Sequence, residues 1–413
     1  MAKKGLLFVL LFVALIRSAW AFDFYAVCST GQTIYYNITD ASNHYVETTY
    51  PGSSYSPWVG YTKPTGSMTI PSSVSHDGVS YSVKSIGSNC FVECTGITSI
   101  TIPSSVVTIQ TKAFYGCSGL TSINMGNSVT TIGDESFAEC SGLTSLNVGS
   151  SVSSIGNMAF QYCTGITSVS FPNSLTTIGN NAFAHCGFSS LSLPNSVIHV
   201  GYGAFSSTPW FDNQPNGMVY VGLVAYSYKG TMPSNTSVSI QSGTKSLADH
   251  LFFEKAGLVS VSLPTSLIVI GNGSFYGCPG LTSITIPASV TYIGATAFYQ
   301  CGNLQTVNYN AQNCTYMGGP GSGGGTIGVF EGCASFNTLN IGNGVVSIPE
   351  NAFHGCTQLA NVSIPNSVTA IHGYAFYNCS SISSITIGSA VSLIGDDAFG
   401  GCNSLTTINY IMQ

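Results

Sequence analysis

The chain has 413 residues, of which 44% are hydrophobic and only 6% charged, with 9 basic against 15 acidic side chains. Soluble domains usually carry about a quarter charged residues, so the surface here must be built from Ser, Thr, Asn and Gly. A net charge of −6 with a single Arg argues against nucleic acid and anionic membranes as partners, because phosphate binding depends on Lys and Arg to displace counterions.

Residues 1–21 open with Lys3 and Lys4, continue through the apolar run LLFVLLFVALI and end at Ala19-Trp20-Ala21, a small-x-small pattern. This reads as a signal peptide, so an exported chain is expected to begin at Phe22 with six Lys, no Arg and a net charge of −9. The apolar run is short for a bilayer span, and no later stretch is long and apolar enough to cross, so no membrane insertion is expected once the signal is removed. Residues 22–64 alternate apolar and polar side chains in TIYYNIT and YVETTY and are read as strands of an N-terminal cap.

From residue 65 the chain repeats. Cys94, Cys117, Cys140, Cys163 and Cys186 stand 23 residues apart, as do Cys278 and Cys301, and again Cys333, Cys356, Cys379 and Cys402. Each unit reads L-x-x-I-x-I-P-x-S-V-x-x-I-G-x-x-A-F-x-x-C. The I-x-I part has the two-residue period of a strand, and the following Pro or Gly ends it. V-x-x-I returns apolar groups to the interior, and A-F-x-x-C places Ala113, Phe114 and Cys117 on one side of a single helical turn. The last inward residues of the strands, from Ile70, Ile102 and Met125 to Ile387 and Tyr410, mark fourteen rungs. The apolar side chains of one lap do not offset the entropy of ordering 23 residues, so laps must cover one another. The predicted fold is therefore a repeat solenoid: a right-handed coil with a parallel strand ladder on one face and short strands or single helical turns on the other, spanning 65–413. Three breaks in the period predict insertions near 72–84, where His76-Asp77-Gly78 signals a turn, at 206–235, a hairpin leaving the coil, and at 311–326, a Gly-rich loop.

These residues resemble the BspA-like, spirochaete-type leucine-rich repeats; residues 281–304, LTSITIPASVTYIGATAFYQCGNL, follow that unit almost letter for letter. The resemblance implies the leucine-rich-repeat fold, an exported or cell-surface location and, for some members, adhesion to matrix or host-surface proteins. It offers no catalytic residues. No added anchoring domain is expected, since the last rung ends near Gln413.

Chemistry-bearing candidates are few. The fourteen Cys fall in an apolar slot and are expected as a stack of buried thiols, since a free Cys packs as a small hydrophobe. Gly319-x-Gly321-x-x-Gly324 rejoins the repeat instead of opening a helix, so it is read as an insertion and not as a dinucleotide loop. His250 and Glu254 share helical spacing without an H-E-x-x-H, and no G-x-S-x-G elbow activates a serine. Asp134-Glu135 and Asp396-Asp397 fall on outer turns. No catalytic residue, metal or cofactor is expected.

The remaining candidate is a surface. Ser99, Thr101, Ser122, Asn124, Ser145, Asn147, Ser168 and Ser170 alternate with inward aliphatics, forming a field of hydroxyls and amides that continues on later laps. Trp210, Phe211, Tyr220, Tyr226 and Tyr228 concentrate aromatics, the side chains typical of binding hot spots, in the 206–235 insertion. The expected function is non-enzymatic binding of an extracellular or cell-surface protein or glycan through these residues. The alternative is a self-associating component of an extracellular coat.

Overall fold

The computed structural model describes residues 22–318 and 327–411. The proposed signal at 1–21 and the Gly319–Gly324 motif lie outside the described residues. Laps of the repeat wind into a β-solenoid of about 14 turns with parallel strand ladders and almost no helix. The chain folds as two compact units. The first comprises 22–196 and 203–213, the second 197–202 and 214–411.

In the first unit, β1 (Phe24–Val27), β2 (Thr33–Asp40) and β3 (Tyr45–Thr49) form an antiparallel meander. β4 (Gly66–Thr69) is the first strand of the I-x-I ladder. β5 (Ser73–His76) and β6 (Val79–Ile86) make a hairpin, and Asp77 and Gly78, both at positive φ, turn it. β3 pairs in parallel with β6, whose far end, Ser85–Ile86, starts the ladder on the opposite face. That ladder continues through Thr108–Ile109, Thr131–Ile132, Ser154–Ile155 and Thr177–Ile178 in register. Trp58 anchors the meander by donating its indole N–H to the Cys90 carbonyl at 3.1 Å.

The I-x-I ladder is made in pieces. β4 pairs with β7 (Ile97–Thr101) and β7 with Ser122–Asn124, while Ser145–Asn147 and Ser168–Ser170 form a separate pair. The ladder thus parts between Asn124 and Ser145. In the second unit the corresponding strands run through Thr236–Ser239 and Leu258–Ser262, then Ser283–Ile286, Thr306–Tyr309 and Thr338–Ile341, then Asn361–Ser363, Ser384–Ile387 and Thr407–Tyr410.

The A-F-x-x-C stretch is a run of tight turns and not the helical turn its spacing suggests. Alternate backbone N–H groups leave the lap altogether: Lys112 donates to the Asp134 carbonyl, Phe114 to Ser136 and Gly116 to Ala138, at 2.9, 2.7 and 2.8 Å. Bonds running to the next lap displace the i→i−4 bonds of a helix. Two residues per lap take positive φ to allow this, among them Lys112 (57°) and Gly116 (69°), and then Glu135 (54°) and Glu139 (62°).

The core repeats as the sequence does. Phe91, Phe114, Phe137, Phe160 and Phe183 stack with ring centroids 5.0–5.3 Å apart. In the second unit Phe252, Phe275, Phe298, Phe330, Phe353, Phe376 and Phe399 do the same. All fourteen Cys are free and buried. Most thiols donate to the carbonyl of a Phe one lap back, as Cys140 does to Phe114 at 3.2 Å and Cys278 to Phe252 at 3.0 Å. A small apolar side chain carrying one weak donor suits a slot that is dry but faces a carbonyl.

The 206–235 segment is built into the fold. Gly217–Val221 and Val224–Lys229 form an antiparallel hairpin, and Val224–Ala225 then pair in parallel with Ser246–Leu247. The second hairpin strand is thus a rung of the second unit's opposite-face ladder, continued by Val269–Ile270, Tyr292–Ile293 and Tyr316–Met317. Val224 and Ala225 fill the two-residue slot that Thr-Ile fills in other laps.

Candidate functional site

Strand alternation sets the site. In most I-x-I segments the aliphatic residues turn toward the core, so the residues between them face out. Ile100 and Leu146 are 1% and 3% exposed, while Ser122, Asn124, Ser145, Asn147, Ser168 and Ser170 are exposed and Ser99 and Thr101 half-buried. Pairing is in register, Ser99 opposite Ser122 and Thr101 opposite Asn124, then Ser145 opposite Ser168 and Asn147 opposite Ser170. The outcome is two parallel rows of neutral donors and acceptors.

Many of these groups bond one another along the rows. Ser99 Oγ donates to Ser67 Oγ at 2.8 Å, and Ser260 Oγ to Ser237 Oγ at 2.8 Å. Asn308 Nδ2 donates to Thr285 Oγ1 at 3.0 Å, and Asn340 Nδ2 to Asn308 Oδ1 at 2.8 Å. Asn124 and Asn147 make no such bond. They border a groove of about 290 Å³ where the ladder parts, with Met125, Val148, Ser170 and Phe171. The signal for it was in the sequence. Gly126 and Gly149 occupy the slot after the strand that Pro103 and Pro172 fill in neighbouring laps, and the chain turns there without a ring to cover the strand ends. The slot is tight as well: a Cβ on Gly126 would meet the Pro103 carbonyl oxygen at 2.6 Å.

The aromatic candidates do not form one cluster. Trp210 and Phe211 lie on a short helix, Pro209–Asp212, in the first unit, capped by Thr208, whose hydroxyl accepts the Phe211 N–H. Tyr220, Tyr226 and Tyr228 lie on the hairpin of the second unit. Trp210 is 7% exposed and set edge-on to Phe205 at 5.8 Å, and Tyr226 is 4% exposed. These two rings are buried, which corrects their assignment to a binding surface: Trp210 packs on Phe205 within the first unit, and Tyr226 lies on a hairpin strand that doubles as a ladder rung and must bury one face. Tyr220 and Tyr228 pack partly against the second unit's core, the first accepting the Gln241 N–H on its hydroxyl and the second tilted on Phe252 with Lys255 Nζ 5.8 Å above its ring.

Other polar candidates have structural roles. Asp134 Oδ1 accepts the Asn157 N–H at 2.7 Å and Asn157 Oδ1 accepts that of Asn180 at 2.9 Å. Asp249 and Asn272 repeat the arrangement, at 2.7 Å, with Ala295 third in line at 2.9 Å. These side chains stitch outer turns across laps, a role the lap-by-lap reading missed. Burial raises the Asp249 carboxyl and lowers His199 and His250 beside it. His250 and Glu254 sit in turns at positive φ, not on a helix. His185 stacks on Tyr162 and His354 on Tyr377. Burial also pushes the Cys186 thiol up to about 12. Among the described residues no group of three or more His, Cys, Asp or Glu could hold a metal ion, and no helix is long and apolar enough to cross a membrane.

A family model described as the BspA type leucine rich repeat region matches in six copies over 84–210, 223–319 and 327–412. Among solved structures, a leucine-rich repeat protein from Bacteroides ovatus is 25% identical, with 94% of each chain covered and a TM-score of 0.34. A leucine rich cell surface protein from Faecalibacterium prausnitzii is 22% identical over 94% of this chain and 95% of that one, with a TM-score of 0.35. A leucine-rich repeat protein from Eubacterium ventriosum is 22% identical over 92% and 95%, with a TM-score of 0.40. No curated protein matches.

Proposed function

The chain belongs to the BspA-type leucine-rich repeat family, and from that premise we propose that it is an exported, non-enzymatic binding protein that engages extracellular or cell-surface proteins or glycans through its strand face. The signal-like residues 1–21 support export. The observation that carries the binding reading is the pair of exposed rows from Ser122–Asn124 to Ser168–Ser170: neutral, in register within each piece of the ladder, and built from side chains that both donate and accept. Such a face lacks the Trp, Tyr and Arg anchors of a tight interface. Its contacts are individually weak and gain strength by repetition against a partner that is itself repetitive. Tyr220 and Tyr228 on the hairpin are secondary contacts.

The test is biolayer interferometry of the mature chain against purified extracellular-matrix proteins and a glycan array. Binding in the micromolar range that falls when Ser122, Ser145 and Ser168 are together changed to Lys supports the reading. Absence of binding to every class at tens of micromolar refutes it.

A further inference from the structure

We infer that the groove where the first unit's ladder parts is a carbohydrate subsite taking one neutral pyranose ring of a glycan. The inference rests on the binding-face reading above and adds the class of ligand.

The lining selects that chemistry. None of the groove's residues is charged, so a phosphorylated, sulfated or carboxylated ligand would find no counter-ion. Asn124 and Asn147 are exposed, neither amide has a side-chain partner among the described residues, and each offers donors and an acceptor from a single group, the combination that reads vicinal hydroxyls. In the second unit the same row is closed on itself through Thr285, Asn308 and Asn340. The apolar contact comes from Phe171, which is half-buried with its ring set edge-on to Phe183 at 5.4 Å and 84°; Met125 and Val148 beside it are buried, so it is Phe171 that offers a surface to the C–H face of a sugar ring. Ligand sites commonly enclose about 300–1,000 Å³. A groove of about 290 Å³ therefore seats one ring and leaves the rest of a glycan in solvent. The larger groove of the second unit, about 560 Å³, is bordered by Val261, Leu263 and Thr285 with no aromatic residue, and its Thr285 hydroxyl already accepts from Asn308.

The experiment is saturation-transfer NMR on the full mature chain with the methyl glycosides of glucose, galactose, mannose and N-acetylglucosamine at millimolar concentration. Transfer is expected from at least one glycoside, weakened at least tenfold in the Asn124→Ala/Asn147→Ala double variant and in Phe171→Leu, and unchanged in Asn308→Ala. Because Phe171 also packs on Phe183, circular dichroism melts accompany that variant, and the exposed Asn pair keeps the test independent of folding. No transfer from any glycoside overturns the inference, as does transfer that survives the Asn pair. The two readings fail separately: a matrix protein that binds wild type and the Asn pair variant alike, with no glycoside bound, overturns the subsite and leaves the binding face.

Discussion

Replacing Phe137 by Ala probes the nearest-neighbour character of the stack. Phe137 is fully buried and lies between Phe114 at 5.0 Å and 6° and Phe160 at 5.3 Å and 2°. Phe→Ala in a core costs about 3–5 kcal/mol, more where the site cannot collapse. Here the cavity is held open, because both flanking rings belong to laps tied to others by backbone ladders, and each loses a stacking partner. We expect about 4–5 kcal/mol. Phe399 has one stacked neighbour, Phe376 at 5.4 Å, and is half-buried, so Phe399→Ala should cost only about 1–2 kcal/mol by loss of partial burial. Urea titrations followed by circular dichroism compare the totals, and hydrogen exchange locates the loss. Protection should fall in the laps of Phe114, Phe137 and Phe160 and stay unchanged at Phe275 and Phe298. Equal costs for the two variants, or a loss of protection spread evenly over both units, would refute the reasoning.

Thr296 is β-branched and held at φ 55°, in the slot that Gly203 and Gly273 fill in other laps; Thr296→Gly should raise stability by about 0.5–1 kcal/mol, read from the urea midpoint, because left-handed backbone costs a non-Gly residue roughly 1–2 kcal/mol. In iodoacetamide labelling of the native protein at pH 8, with sites read by mass spectrometry, Cys402 should react before Cys186: burial raises it only to about 11, against about 12 for Cys186, and its lap carries Ile408 and Tyr410 at 48% and 66% exposure. Faster labelling of Cys186 would contradict this. Burial lowers His199 and His250 below the usual 6.5, so the unfolded chain binds protons more readily than the fold as pH drops past 6.5, and stability complete above that pH is lost below it. Burial acts oppositely on Asp249, whose raised carboxyl regains stability as pH falls through its folded value toward 3.8. Melting temperature should therefore decline on acidification from pH 7 to 5, and a His199→Gln/His250→Gln variant should flatten that slope.

The lap architecture was legible because the same few residues recur at a fixed step and each obeys local physics: Ile100 alternates inward, Pro103 stops its strand, and Val106 and Ile109 return to the core. What escaped prediction depends on atoms in the next lap. Phe114 and Gly116 send their N–H groups across the stack, so A-F-x-x-C is not a helical turn although its spacing allows one. The hairpin aromatics were read as surplus to the repeat, but Val224 and Ala225 supply a rung, and a rung needs a covered face, which Tyr226 lines. The outward rows followed directly from the two-residue period. The groove required noticing that Gly126 and Gly149 replace Pro in two successive laps.

The thiol that reaches back to the preceding phenylalanine carbonyl has a consequence for heredity. Every hydrogen bond of this kind that leaves a lap ends on a group the neighbouring lap repeats, as from the Cys163 thiol to the Phe137 carbonyl and from Cys186 to that of Phe160, at 3.0 and 3.2 Å. An in-frame duplication or deletion of 23 codons would thus leave no orphaned donor behind and would shift the register of nothing downstream. Genes built this way can lengthen or shorten their product in whole turns, changing how many contacts a surface displays while each turn keeps its own chemistry.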